Sequence, residues 1–421
     1  MHKLKSLFMR ILRSKDGKVL ASNFAYLSLL QIASYIFPLI SIPYLARVLG
    51  VDGLGKIAFA AAIIIWIQTI ADWGFDMTGA RNVAQARDDK EKVSKIFSDI
   101  FWSRIFLLFC SFLVLLLLLL IVPKFRESYV IILFTFLYVP GHILFPAWFF
   151  LGLEKMKYST ILNVISKLIF TIAIFIFIKD KDDYILQPVL VASGYLLSGT
   201  IALYFIFVKW KYRLYKPALR TIIFTMKGST DVFINTLMPN LYNNLSVLLL
   251  GFLGGDTANG IYYAGRKFGQ VAYTVLNTLT NVFFPYLSRK IEYHSLYAKF
   301  NLGVSGLGSL ILFAFAPWLI KLFFGEGYGD AIIVLRITAF ALLFTNMDSV
   351  YGQNYLIVSH HEKLLRNLTI VASLCGFIIA FPLIYYFSYI GASITYMVSS
   401  FLMGILPMYY ALKIKNDTNS I

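Results

Sequence analysis

The chain has 421 residues, of which 59% are hydrophobic, 17% aromatic and only 14% charged. Soluble domains carry about 25% charged residues, so this balance excludes a soluble globular enzyme and places the chain in a bilayer. The 38 Lys and Arg against 21 Asp and Glu give a net charge of +17, an excess that membrane topology explains without invoking nucleic acid.

Residues 1–18 carry six basic side chains, with Leu4, Leu7, Phe8, Ile11 and Leu12 on one helical face. A short basic amphipathic helix on the cytoplasmic membrane surface is expected, and no small-residue cleavage site follows the first apolar run. Beyond it the spacing predicts twelve transmembrane helices, at roughly 19–42, 54–75, 99–122, 128–151, 159–178, 186–208, 230–253, 259–285, 302–324, 331–357, 366–387 and 390–412. Counting Lys and Arg in alternate connections gives 26 on the side holding the N-terminus and 7 on the other, which places both termini in the cytoplasm. Five more, Arg104, Lys167, Arg266, Lys267 and Arg336, lie inside the apolar segments.

The chain echoes itself. At an offset of 204 residues Leu49, Gly50, Asp52, Ile57 and Ala60 meet identical residues in 253–264, and Phe59 meets Tyr263. Leu153-Glu-Lys155 and His361-Glu-Lys363 share Glu-Lys at an offset of 208, and Tyr184-Ile185 recurs 205 residues later at Tyr389-Ile390. A parallel internal repeat is expected: an N-lobe of six spans over 19–208, a basic linker over 209–229, a C-lobe of six spans over 230–412 and a cytoplasmic tail over 413–421.

Polar residues form stripes inside several spans. Tyr262, Arg266, Gln270, Tyr273, Asn277 and Asn281 follow one another at intervals of three or four, along one helical face. Ser159, Asn163, Lys167 and Thr171 are four apart, as are Gln68, Asp72 and Asp76, while Thr338, Thr345 and Asp348 share another face. A cation at mid-membrane costs about 2.5–3.5 kcal/mol on the mildest scale, so these groups call for partners or a central water-filled cavity. Single Ser, Thr and Asn side chains are more simply interhelical packing, and Arg104, Lys267 and Arg336 lie close enough to a surface to snorkel. A mainly basic cavity selects an anion: Arg binds phosphate bidentately and Lys acts as a point charge.

No phosphate loop, nucleotide fingerprint, metal-binding helix or nucleophile elbow is present, so the chain reads as a non-enzyme without cofactor, and any transport runs on gradients. Cys110 and Cys375 fall inside apolar runs and the five histidines show no ligand spacing, so neither a disulfide nor a metal site is expected.

Several motifs together resemble a known family: Pro43-Tyr-Leu-Ala-Arg-Val-Leu-Gly50 with Gly53 and Gly55, Asp72-Trp-Gly-Phe, Ala80-Arg-Asn82 and Pro146-Ala-Trp-Phe-Phe-Leu-Gly-Leu-Glu-Lys-Met156. Gly260-Ile-Tyr-Tyr-Ala264, Asn281-Val-Phe-Phe-Pro285 and Gly325-Glu-Gly-Tyr328 continue the pattern. The chain is similar to the bacterial polysaccharide-biosynthesis flippases of the multidrug/oligosaccharidyl-lipid/polysaccharide exporter superfamily. The resemblance implies an inner-membrane, alternating-access carrier that turns an undecaprenyl-pyrophosphate-linked oligosaccharide to the periplasmic leaflet for O-antigen, capsule or exopolysaccharide assembly. It also implies membrane lipid as surroundings and a polysaccharide polymerase and chain-length regulator as partners. Arg47 matches a family position, and Arg266 looks like a basic residue that related flippases place in the eighth span. Candidate substrate contacts are therefore Arg47, Arg104, Lys167, Arg266 and Lys267, with Tyr262, Gln270, Tyr273 and Asn277 of the stripe; Asp72, Asp76 and Asp348 are candidate proton-coupling or salt-bridge groups. A multidrug exporter of the same superfamily would need acidic groups for cationic drugs, and a non-transporting scaffold would need no wet interior.

Overall fold

A computed structural model describes residues 15–216 and 218–419, so most of the expected surface helix, residues 1–14, lies outside the described residues. Every regular element among the described residues is helical, and eight helices are long and apolar enough to cross a membrane. Two of these, Tyr26–Ala86 and Glu362–Asn416, are 61 and 55 residues long, at least twice what a single crossing requires.

The first stretch is α1 (Lys15–Asp72), broken at Gly50, whose φ of 71° is open to glycine at little steric cost. It is followed by α2 (Phe75–Ala86) and α3 (Lys90–Ile121), the latter capped where the Asp89 side chain accepts hydrogen bonds from the Glu91 and Lys92 amides. Four short helices, α4 (Pro123–Glu127), α5 (Tyr129–Phe136), α6 (Tyr138–Leu144) and α7 (Ala147–Gly152), make an interrupted span. After α8 (Met156–Phe177) and α9 (Leu186–Tyr204) come α10 (Leu219–Asn243), α11 (Leu245–Leu253), α12 (Gly255–Leu287) and α13 (His294–Phe324). The last elements are α14 (Ala331–Met347), a π-helical turn (Asp348–Ile357) and α15 (Glu362–Asn419), the latter broken at Ser388.

The helices form two compact units. One contains Ile63–Thr236 and the segment ending at Tyr44. Its core is aromatic: Phe97, Trp148, Phe149 and Phe150 are buried together with Val83 and Met156. The Pro146 to Met156 motif supplies this core, and Gly79 and Gly152 let α2 and α7 approach until a Cβ on either would press into the other helix. Residues of the expected linker are tied down here. Trp102 Nε1 donates to the Tyr215 carbonyl at 3.0 Å, the Tyr215 amide donates to Ser98 Oγ at 2.9 Å, and Lys155 Nζ sits 4.0 Å from the Trp210 ring centroid. From Leu219 onward the chain is already helical.

The other unit contains Leu45–Ala62 and the chain from Leu237. Residues 45–62, which the sequence groups with the N-lobe, pack here because two glycines admit them. A Cβ on Gly55 would overlap the Asp256 carbonyl, and one on Gly260 would overlap the Val51 carbonyl. The contact is reciprocal, since Val51 and Asp256, like Gly55 and Gly260, are 205 residues apart; so are Gly50 and Gly255, both with positive φ. The register of the repeat at this turn is thus one residue longer than the expected offset of 204. Thr257 Oγ1 donates to Asp52 Oδ1 at 2.5 Å, the Tyr328 hydroxyl donates to the Ala46 carbonyl at 3.2 Å, and Arg47 donates to the Leu322 carbonyl.

Gly55→Ala and Gly260→Ala therefore force backbones apart and should each lower stability by about 1–3 kcal/mol, as overpacking does. Gly306→Ala, where a Cβ meets nothing within 4 Å, should be near neutral. Equal thermal unfolding of all three detergent-solubilised variants would contradict this packing.

A buried ion network and a polar cavity

Two chemically distinct polar sites lie in the two units. In the first, the Asp72-Trp-Gly-Phe motif breaks the helix between α1 and α2, with Trp73 at φ 42° and Gly74 at φ 74°. Trp73 holds this strained conformation by donating from Nε1 to the Met226 carbonyl at 3.0 Å and by stacking on Phe233 at 4.1 Å. Asp72 and Asp76 stand on either side of the break, and Arg104 of α3 lies between them. Its Nη2 is 2.5 Å from Asp76 Oδ1 and 3.4 Å from Asp72 Oδ1, and its side chain is only 2% exposed. His142 of α6 brings Nε2 to 3.3 Å from Asp72 Oδ2, and Gln68 Nε2 lies 3.4 Å from the same oxygen.

Arg104, for which snorkelling was an expectation, instead forms the centre of a buried ion network. His142, which sequence spacing does not connect to any acid, joins it. One ligand atom each from Asp72, Asp76 and His142 lies within 4.8 Å of the others, a geometry that could hold a cation. The Arg104 guanidinium already supplies positive charge at both carboxylates.

In the second unit, a cavity of about 500 Å³ is lined by Arg266, Gln270, Tyr273 and Thr274 of α12, Thr345 and Asp348, Tyr396, Ser400 and Met403 of α15, and Asn244. The helical stripe read from the sequence thus places Arg266, Gln270 and Tyr273 on one wall. Tyr262 is fully buried beside it, 5.3 Å from the guanidinium. Tyr396 covers the other side of Arg266, with 4.1 Å between the guanidinium carbon and the ring centroid. Ring faces orient the cation through their quadrupoles. Across the cavity Asp348 Oδ1 is buried with no hydrogen-bond partner, and the Tyr273 hydroxyl lies 3.5 Å from Ser349 Oγ.

Of the five expected cationic contacts, Arg104 sits in the ion network and Arg266 in the cavity wall. Lys167 Nζ donates to Ser34 Oγ at 2.6 Å within the first unit, Lys267 lies 5.5 Å from the Tyr263 ring centroid, and exposed Arg47 caps the last turn of α13. Asn277 is half-buried outside the cavity lining. Among the described residues, the ionisable acid and base lining the cavity are Asp348 and Arg266. The sequence reading missed Thr274 and the helically spaced Tyr396, Ser400 and Met403 of the lining. A larger groove of about 730 Å³ between α3 and α5 has an almost wholly apolar lining that includes Phe109, Phe112 and Leu133, and offers little for chemistry.

Removing one member of a buried ion pair costs about 3–5 kcal/mol because it strands the other charge. Arg104→Ala should therefore sharply lower the thermal stability of the purified protein, and Arg104→Ala combined with Asp72→Asn and Asp76→Asn should recover part of the loss. A triple variant no more stable than Arg104→Ala would show that the network's charges are not what holds these helices.

The comparisons agree with this architecture. By structure the chain superposes on the lipid II flippase MurJ in an inward closed conformation with a TM-score of 0.75, at 14% identity, covering 91% of this chain and 87% of that one. An inward-facing multidrug resistance MATE transporter of the MOP superfamily gives a TM-score of 0.68 at 18% identity, over 94% and 99% of the two chains. These likenesses are of fold. By sequence it is 29% identical over 399 residues to a protein of Escherichia coli K12 provisionally named an O-antigen transporter, covering 93% of this chain and 96% of that protein. A similarly named protein of Shigella dysenteriae is 26% identical over 93% of this chain and 99% of its own length. The model of the polysaccharide biosynthesis protein family matches residues 20–291, well over half of the chain, and the chain therefore belongs to that family.

Proposed function

We propose that this protein is a flippase that moves undecaprenyl-pyrophosphate-linked oligosaccharide units across the bacterial cytoplasmic membrane by alternating access, for O-antigen, capsule or exopolysaccharide assembly. In this reading it is a carrier and not an enzyme, its twelve spans form two lobes of six, and both termini are cytoplasmic. A polysaccharide polymerase and a chain-length regulator act downstream of it. Family membership supports the reading at the level of the whole chain, together with relatives named as O-antigen transporters.

The observation that carries it at the site is Arg266, 8% exposed and held between tyrosines at the wall of a polar cavity. A guanidinium fixed in this way binds a phosphoryl group through charge-assisted hydrogen bonds at little ordering cost. Gln270, Tyr273 and Asn244 offer further donors around it. Asp348, on the same cavity, is suited to repel the pyrophosphate or to exchange a proton for it, which would drive release. The multidrug alternative has fold likeness and that one carboxylate in its favour.

Loss of charge-assisted bonds worth about 1.5–3 kcal/mol predicts that Arg266→Ala reduces glycan export about ten- to a hundredfold, with lipid-linked oligosaccharide accumulating on the cytoplasmic leaflet. Arg266→Lys should be intermediate, because it keeps charge and loses the fork. Normal surface polysaccharide in the alanine strain, at normal protein levels, would refute the role of Arg266.

A further inference from the structure

A second, smaller crevice of about 220 Å³ lies in the first unit between α2, α3 and the start of α10. Its lining combines Asn82, Asp99, Thr221 and Thr225 with the ring of Phe224, over a floor where the Thr78 and Ser229 hydroxyls bond each other at 2.8 Å. Among the described residues neither the Asp99 carboxylate nor the Asn82 amide has a partner for its polar atoms, although both are half-buried. Phe224 is 77% exposed, so its ring face is open beside the crevice. Among the described residues of the lining, Asp99 is the one that is ionisable.

We propose that this crevice binds a monosaccharide ring of the glycan, separately from the phosphate-binding cavity at Arg266. A sugar presents adjacent hydroxyls on its edges and aliphatic hydrogens on its faces. A carboxylate and an amide accept and donate to the first, a flat aromatic ring covers the second, and a floor of hydroxyls admits small differences in stereochemistry. The volume lies below the roughly 300–1,000 Å³ of pockets for drug-sized ligands, which suits one ring and not an oligosaccharide. The crevice also lies at the helix ends that adjoin the basic connections, Arg87 to Lys95 on one side and Lys209 to Arg220 on the other. By the positive-inside rule that is the cytoplasmic end, where a glycan would be loaded.

The inference rests on the glycan-carrier reading, and the test separates the two. Thermal unfolding of the purified full-length protein in detergent is measured with N-acetylglucosamine, galactose and glucose, with inorganic pyrophosphate, and with tetraphenylphosphonium as a hydrophobic cation. At least one sugar should raise the melting temperature, with about tenfold weaker apparent affinity in Asp99→Asn and Phe224→Ala, and Arg266→Ala should lose only the pyrophosphate response. Asp99→Asn is isosteric and Phe224 is exposed, so both variants should melt like the wild type without ligand. No sugar response in the wild type, a response untouched by both substitutions, or stabilisation by the cation alone would each overturn the crevice. If sugars bind as described but the wild type moves no lipid-linked glycan between leaflets of reconstituted vesicles, the crevice stands and the carrier reading falls.

Discussion

In a hydrocarbon medium an unpaired charge is so costly that the placement of a few ionisable side chains governs everything packed around them. Arg104 is the clearest case. Its guanidinium is almost wholly buried and lies within reach of two carboxylates, and one of these also meets His142. Three parts of the chain, the α1–α2 break, α3 and α6, are thereby fixed to one another. The strained turn at Trp73 and Gly74 is held from outside by α10, which explains why the residues after the basic connection belong with the first unit.

Arg266 is buried to a similar degree and meets the same constraint differently. Arg104 lies between two acids, and Arg266 lies between two tyrosine rings whose faces attract a cation. The difference separates structure from chemistry. Arg104 sits between two carboxylates, and Arg266 stands at the wall of a polar cavity. In the proposed reading the phosphate contact and the sugar crevice lie in different units.

Much of this was legible in the sequence. The helical class follows from apolar length, and the intervals from Tyr262 to Tyr273 put Arg266, Gln270 and Tyr273 on one cavity wall because helical period is a local property. The glycine echo was readable too, but its register was not: the 204-residue offset came from residue identity, whereas the glycines with positive φ and close approach correspond at 205. What the sequence could not show are contacts between distant segments. His142 meets Asp72 across 70 residues, Tyr396 covers Arg266 across 130, and nothing local in 45–62 reveals that Gly55 packs on Asp256.

Leaflet exchange in a defined system tests transport of a lipid-linked glycan directly. Purified protein would be reconstituted into vesicles containing undecaprenyl-pyrophosphate-linked oligosaccharide, and the glycan would be exposed to a membrane-impermeant oxidant. A glycan-lipid carrier makes the inner-leaflet pool reactive while the vesicles stay sealed. A pool that remains protected, limited to the outer-leaflet share seen in protein-free vesicles, would contradict it.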